Sequence, residues 1–345
     1  MRDGDLPALV DEPALERYLD EHLSDGEGLS VERHQAGHSC ETFFVTWGGR
    51  DYVLRRPPRG AFLPTAHDVT REYRVLTALK GTSVRAPRTF LMCEDESVIG
   101  APFYLMERKR GVVIRTDLPD AFGKGDRAAI GEELVDALVE LHGVDWRACG
   151  LEGFGKPGGY LERQLRRWNG QMELTLPHTR PLPDLEKAGA WLHEHLPQSS
   201  PTTLVHGDFK LDNVMFDFEP PPRLVAIFDW EMATLGDPLA DLGWMISFWR
   251  EPSDEGDDVF ANLNRVTTLE GFSSRGHLID RYAVATGRDA SALDWYVVLA
   301  IWKLAILLEG SYARHLAGMT DDPFFADLKH GVPALAARAL SIALG

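Results

Sequence analysis

Cysteine is scarce in this chain of 345 residues. Only Cys40, Cys93 and Cys149 occur, none in a Cys-x-x-Cys pair, and an odd number cannot all pair. That usage fits a reduced, cytoplasmic setting. Positive charge is short as well: 36 Lys and Arg stand against 53 Asp and Glu, a formal net charge of −17. Such a balance excludes the basic footprint that nucleic-acid phosphates require. Met1-Arg2-Asp3-Gly4-Asp5 is acidic and lacks the apolar core of a secretory signal. The most apolar stretch, Trp295 to Leu308, is short for a membrane span and carries Lys303 in its middle, the pattern of a buried core helix. Internal repeats and low-complexity segments are missing too. What remains, 44% hydrophobic, is a globular composition in a chain long enough for one two-lobed unit or two domains.

The most informative stretch is Leu204-Val205-His206-Gly207-Asp208-Phe209-Lys210-Leu211-Asp212-Asn213-Val214-Met215-Phe216, followed by Ala226-Ile227-Phe228-Asp229-Trp230-Glu231. An apolar strand enters each acidic cluster, and a carboxylate stands where each strand ends, which aims charge into a cleft. Asp208 and Asn213 have the spacing of the catalytic loop H-x-D-x-x-x-x-N, in which Asp accepts the proton of an attacking hydroxyl and Asn ligates magnesium. Asp229 is then the second metal ligand. One amide and one carboxylate suit a hard cation that keeps waters and phosphates as its other ligands.

These motifs resemble those of the aminoglycoside phosphotransferase-like enzymes, of the aminoglycoside phosphotransferase and choline kinase type, the small-molecule branch of the protein-kinase fold. Tyr52-Val53-Leu54-Arg55-Arg56-Pro57-Pro58, Cys93-Glu94-Asp95, Val98-Ile99-Gly100 and Gly236-Asp237-Pro238-Leu239-Ala240-Asp241-Leu242 resemble more narrowly the kinase-like domain fused to some acyl-CoA dehydrogenases. The resemblance spans about residues 29 to 315. It implies an α+β, two-lobed protein-kinase-like fold: a small N-lobe with an antiparallel sheet and a C-helix (residues 1–107), and a larger, mainly helical C-lobe (residues 108–345). It further implies ATP or GTP and Mg²⁺ as cofactors.

Along the chain, a short helix near Pro13 to Leu23 is expected outside the first lobe, then strands at Leu29 to His34, Thr42 to Trp47 and Tyr52 to Arg55, the last two joined at Gly48-Gly49. The loop from Gln35 to Glu41 occupies the place of a phosphate cover, with Gly37 and Ser39 as its small residues. Arg55 stands where kinases carry a phosphate-binding lysine. In the helix from Ala66 to Lys80, Glu72 falls inside the apolar arc of Val69, Tyr73, Leu76 and Leu79, so it needs a cation, and Arg55 is the partner the resemblance implies. A hairpin from Arg88 to Met106 leads to a hinge, where alignment assigns the Glu107 carbonyl and the Lys109 N–H to the adenine edge.

In the larger lobe, Asp126 is expected to cap a helix striped with Ile130, Leu134, Leu138 and Leu141. The helix from Tyr160 to Trp168 clusters Arg163, Arg166 and Arg167, which either hold an anionic substrate such as a CoA phosphate or pair with nearby acids. Pro220-Pro221-Pro222 marks a hairpin tip before Asp229. Asp237 and Pro238 start a helix in which Asp241 should accept backbone hydrogen bonds and brace the loop, with His206 as a second prop. Asp212 and Glu231 are further candidates for touching substrate or metal. The reaction expected is transfer of a γ-phosphoryl to a hydroxyl of a small molecule, either a hydroxyacyl-CoA-like metabolite or an aminoglycoside, by a monomer or homodimer without nucleic-acid or membrane partners. Two other readings stay open: a non-catalytic nucleotide-binding module, and a metal-dependent hydrolase using His206, Asp208 and Asp229.

Overall fold

The structure, a computed structural model, describes residues 9–23, 26–34, 40–58, 68–254, 265–319 and 323–345. The chain forms two compact units, one of residues 1–110 with 226–231, the other of residues 111–225 with 232–345. The first division falls three residues beyond the boundary expected at 107, and the larger segment is not continuous, because residues 226–231 rejoin the first unit. Hydrogen bonds explain the return: the Ile227 N–H donates to the Arg85 carbonyl at 2.7 Å, and the Trp230 N–H to Glu72 at 3.3 Å.

In the first unit, strands β1 (Ser30–His34), β2 (Glu41–Trp47), β3 (Arg50–Arg56), β4 (Thr89–Cys93) and β5 (Phe103–Glu107) form an antiparallel sheet in the order β1-β2-β3-β5-β4. Gly48 and Gly49 both have positive φ (56° and 72°), which the two-residue turn between β2 and β3 demands. Alternation along the strands separates two faces. Phe43, Val45, Trp47, Leu54, Phe103 and Leu105 belong to one core cluster, which helix α1 (Glu12–His22) joins through Leu15 and Leu19. Both leucines are fully buried, so α1 is part of this core rather than an outer attachment. Arg56 lies buried on the same face, donating to the Leu9 and Ile99 carbonyls. Arg55 points the other way. Helix α2 (Val69–Ala78) starts at Asp68, whose carboxylate accepts from the Thr70 and Arg71 N–H groups, and it packs on β4 and β5 with Glu72, Val75 and Leu76 buried.

The second unit is mainly helical: α3 (Arg127–His142), α4 (Tyr160–Thr175), α5 (Pro183–Glu194), α6 (Leu239–Ser247), α7 (Arg275–Thr286), α8 (Leu293–Leu316) and α9 (Pro323–Leu344). The α3 stripe is buried as its period demands, but Asp126 does not cap it. Its carboxylate turns back to accept the Gly123 N–H at 2.9 Å, closing a single turn before the helix. Short strands β6 (Thr203–Val205) and β9 (Thr234–Gly236) pair antiparallel and launch the two segments that matter most, the loop after Val205 and helix α6. Between them lie β7 (Val214–Phe216) and β8 (Leu224–Ile227), whose connecting turn is closed by the Asp217 N–H donating to the Arg223 carbonyl. Helix α8 has the length and apolarity of a membrane-crossing helix, and it packs along α6 and α9.

Candidate active site

In the first unit a buried charge cluster is built on β3, α2 and the segment after β8. The Arg55 guanidinium pairs with Glu72, and its other nitrogen lies 3.8 Å from Asp229 Oδ1. Burial works against the Arg55 charge, but the Glu72 carboxylate, with Asp229, outweighs it and holds the group well above its ordinary pKa, so it stays cationic. Burial also pushes the adjacent Cys40 thiol up to about 12, leaving it neutral. Asp229 has φ 65°, the left-handed region, and among the described residues it is the one non-glycine residue to do so. Asp tolerates that backbone better than most residues, and such outliers mark sites where geometry is over-determined. Its Oδ1 is buried and accepts no hydrogen bond among the described residues. Glu231 follows two residues later, half-buried.

In the second unit the loop after β6 turns sharply at Gly207, with φ 85°. A Cβ there would stand 2.7 Å from the Met232 carbonyl oxygen, so no side chain fits between the strand-end segments. Asp241 holds the turn: its buried carboxylate accepts the His206 N–H at 2.6 Å and the Gly207 N–H at 2.8 Å. Asp241 also meets His142 Nε2 at 3.3 Å, and His142 Nδ1 lies 2.7 Å from the Tyr282 hydroxyl. Burial lowers the pKa of His142 despite Asp241, so the ring is neutral; Nε2 donates to the carboxylate and Nδ1 accepts from the phenol. For Asp241 burial acts upward, yet the hydrogen bonds it accepts from the His142 ring and the His206 N–H hold it below the ordinary value. His206 is fully buried, and its Nδ1 accepts the Asp208 N–H at 3.2 Å.

Asp208 is pinned at both oxygens. Trp244 Nε1 donates to Oδ1 at 2.8 Å, and Asn213 Nδ2 donates to Oδ2 at 2.7 Å and to the Asp208 carbonyl at 2.9 Å. With its nitrogen so engaged, the Asn213 amide presents its oxygen elsewhere. Lys210 Nζ lies 3.6 Å from Asp208 and 3.3 Å from Asp212. Asp208, Asp212, Lys210 and Lys303 line a cavity of about 470 Å³ in the second unit, walled by apolar groups such as Trp244, Phe248 and Leu304.

The structure thus joins Arg55, Glu72 and Asp229 in one cluster, and Asp208, Asn213, His206, Asp241 and Asp212 in another. Gly37 and Ser39 lie outside the described residues. Glu107 ends β5 and pairs with Lys109 at 3.1 Å. Of the arginines on α4, Arg163 turns back to the Lys156 and Gly158 carbonyls, which precede a helix lacking a capping side chain, while Arg167 stays exposed and leans on the Trp168 ring. Sequence reasoning missed Trp244, His142 and Tyr282, which come from three helices far apart in the chain. Lys303 was visible as a cation in an apolar run, but its place beside Gly207 was not. Among the described residues no group of three or more His, Cys, Asp and Glu side chains is arranged to hold a metal, and His206 is already committed to the Asp208 backbone.

A five-stranded antiparallel sheet with α1 and α2 packed on it, a second helical unit, and an Asp–Asn loop braced by a buried acid define a kinase-like phosphotransferase. The chain belongs to the phosphotransferase enzyme family, whose model matches residues 30–295. It is 35% identical over 316 residues to acyl-CoA dehydrogenase family member 11 of Rattus norvegicus, covering 88% of this chain and 40% of that protein. It is 33% identical to the Homo sapiens protein of that name over 330 residues, 92% of this chain and 41% of the relative. The chain therefore spans about two-fifths of these relatives' length. Among solved structures, a Ralstonia eutropha protein bearing an aminoglycoside phosphotransferase designation superposes with a TM-score of 0.82 at 32% identity, covering 97% of this chain and 98% of that one. The aminoglycoside phosphotransferase APH(4)-Ia, in a ternary complex with ADP and hygromycin B, shares the fold at a TM-score of 0.56 and 16% identity, over 96% and 99% of the two chains.

Proposed function

We propose that this protein transfers the γ-phosphoryl group of ATP, or of GTP, to a hydroxyl of a small molecule, with Mg²⁺ as cofactor. The observation that carries the reading is the Asp208 carboxylate, fixed at one oxygen by the Trp244 indole and at the other by the Asn213 amide, on the wall of a cavity. A carboxylate so held has lone pairs left to orient an acceptor hydroxyl and take its proton, and catalysis of this class is largely positioning and electrostatics. The chain's donors fit a hard cation. Asn213 keeps an amide oxygen uncommitted by its two hydrogen bonds to Asp208, and Asp229 offers a buried oxygen with no hydrogen bond among the described residues. When bound, Mg²⁺ supplies neutralisation of phosphate-oxygen charge. Arg55, kept cationic by Glu72, is the chain's own phosphate-directed charge, and backbone at Glu107 and Lys109 is assigned to the adenine edge.

For the acceptor, the cavity favours an apolar body over a polycation. Its charged lining residues are Arg115, Lys210 and Lys303 against Asp208 and Asp212, and the remaining wall is mostly aromatic and aliphatic. A hydroxyacyl chain of the kind carried on CoA suits such a wall better than an aminoglycoside, and the likeness to relatives named for acyl-CoA dehydrogenation supports the same acceptor.

Calorimetric titration of ATP with and without Mg²⁺, on the wild type and on Asp229→Asn, tests the nucleotide half; Asn keeps the left-handed backbone accessible. Mg-dependent binding that weakens in the variant is the expected result. No binding to the wild type overturns the assignment. A phosphorylation panel of hydroxyacyl-CoAs and aminoglycosides tests the acceptor half, and turnover confined to aminoglycosides overturns the lean to apolar acceptors.

A further inference from the structure

Lys303 sits near the middle of α8, within a mostly buried run of apolar residues from Val297 to Ile306. Its ammonium donates to the Gly207 carbonyl at 3.2 Å, the peptide unit immediately before Asp208. It also stands 4.4 Å above the Trp244 ring and 5.7 Å from the Trp168 ring. Trp244 is the residue whose indole N–H holds Asp208 Oδ1. One cation therefore touches both supports of the same carboxylate: the backbone that carries it and the indole that orients it. A cation on the face of an indole is attracted to the ring and draws electron density from it, which strengthens the N–H as a donor.

We propose that Lys303 is a positioning residue of the phosphoryl-transfer site, its ammonium clamping the Gly207 carbonyl and the Trp244 ring so that Asp208 is fixed where an acceptor hydroxyl arrives. The charges facing it are Asp208, Lys210 and Asp212 on the loop, Asp241 on α6, Arg167 on α4 and Arg115 across the cavity; on its own helix Glu309 is taken up by Arg180 at 2.9 Å. Burial lowers the Lys303 pKa to about 8, with Asp208 and Asp241 opposing and Arg167 adding to the fall. The clamp is charged below that value and discharged above it. The consequence for turnover rests on the phosphotransferase reading; the consequence for the indole does not.

Lys303→Met and Lys303→Arg, compared with the wild type, test it. With Mg-ATP and water as acceptor, or any acceptor found by panel, kcat of the Met variant should fall by about 10- to 100-fold while KM for ATP holds. The Arg variant should recover part of the loss and carry activity to higher pH, because guanidinium stays charged. Independently of turnover, the Trp244 indole ¹H–¹⁵N resonance, assigned through Trp244→Phe, should move as the wild type is titrated through pH 8 and stay still in Lys303→Met. Removing a buried charge should leave the Met variant melting no lower than the wild type, which separates lost positioning from lost folding. An unchanged kcat in Lys303→Met, or an indole resonance that titrates alike in both proteins, overturns the proposal. A wild type without turnover sinks the phosphotransferase reading, and the indole titration still decides the role of Lys303.

Discussion

At the scale of single residues the loop depends on what is left out at position 207. The Gly207 φ of 85° and the 2.7 Å approach of the Met232 carbonyl to any Cβ act together, so Gly207→Ala meets both backbone strain and a clash with main chain that cannot swing aside. Left-handed strain alone costs about 1–3 kcal/mol, and the clash adds to it. Thermal melting should show the loss, with kcat falling further than stability because Asp208 is the next residue. Some of this residue-scale logic is legible in the sequence and some is not. Asp208 and Asn213 carry their relation in their spacing, and Glu72 reveals itself as an acid inside an apolar arc. Trp244 and His142 carry no such mark: tryptophan in an apolar helix and histidine at a helix end look like ordinary packing until the fold sets one against Asp208 and the other against Asp241. Arg163 misleads for a related reason, since a row of arginines on a helix says nothing about carbonyls waiting behind it.

At the scale of elements, Asp241 ties α6 to α3, through His142, and to the loop after β6, while Tyr282 brings in α7. Stability should follow the protons of this chain of contacts. Folded His142 resists protonation while the unfolded ring, with a pKa of about 6.5, accepts it. Stability contributed by the neutral ring is therefore present above that value and declines as pH falls below it. The folded pKa of Asp241 is depressed, so its contribution is present above the ordinary carboxylate range and fades as pH falls through that range toward the folded value. Melting temperatures taken from pH 8 down to about pH 2 should decline in those two stages, and His142→Phe should remove the upper one. Element boundaries themselves were read well where a period or a turn residue set them, as at Gly48-Gly49 or Gly143. Asp126 was misread because a carboxylate at a helix start can serve the turn before it as well as the helix after it.

At the scale of the whole molecule, candidate phosphate and metal groups are shared out between the units: Arg55 and Asp229 belong to the first, Asp208 and Asn213 to the second. A nucleotide held by the groups of a unit should stabilise that unit. At a ligand concentration of about 100 Kd the gain is about 2.7 kcal/mol. Differential scanning calorimetry with Mg-ATP should move the transition of the first unit, which carries Arg55 and the backbone at Glu107 and Lys109, upward, and a scan in which no transition moves overturns nucleotide binding. The division of labour was foreshadowed by two motifs on separate strands, but not the detour by which residues 226–231 leave the second unit. That detour sets an order of events during synthesis. When the first 110 residues have emerged from a ribosome, the sheet and α2 are all present, yet the segment that brings Asp229 to Arg55 and the Trp230 N–H to Glu72 has not been made. A nascent first unit must wait with its Arg55–Glu72 pair lacking Asp229 and the Trp230 N–H for more than a hundred further residues, so a chaperone or a translational pause acting in that interval handles a half-finished domain.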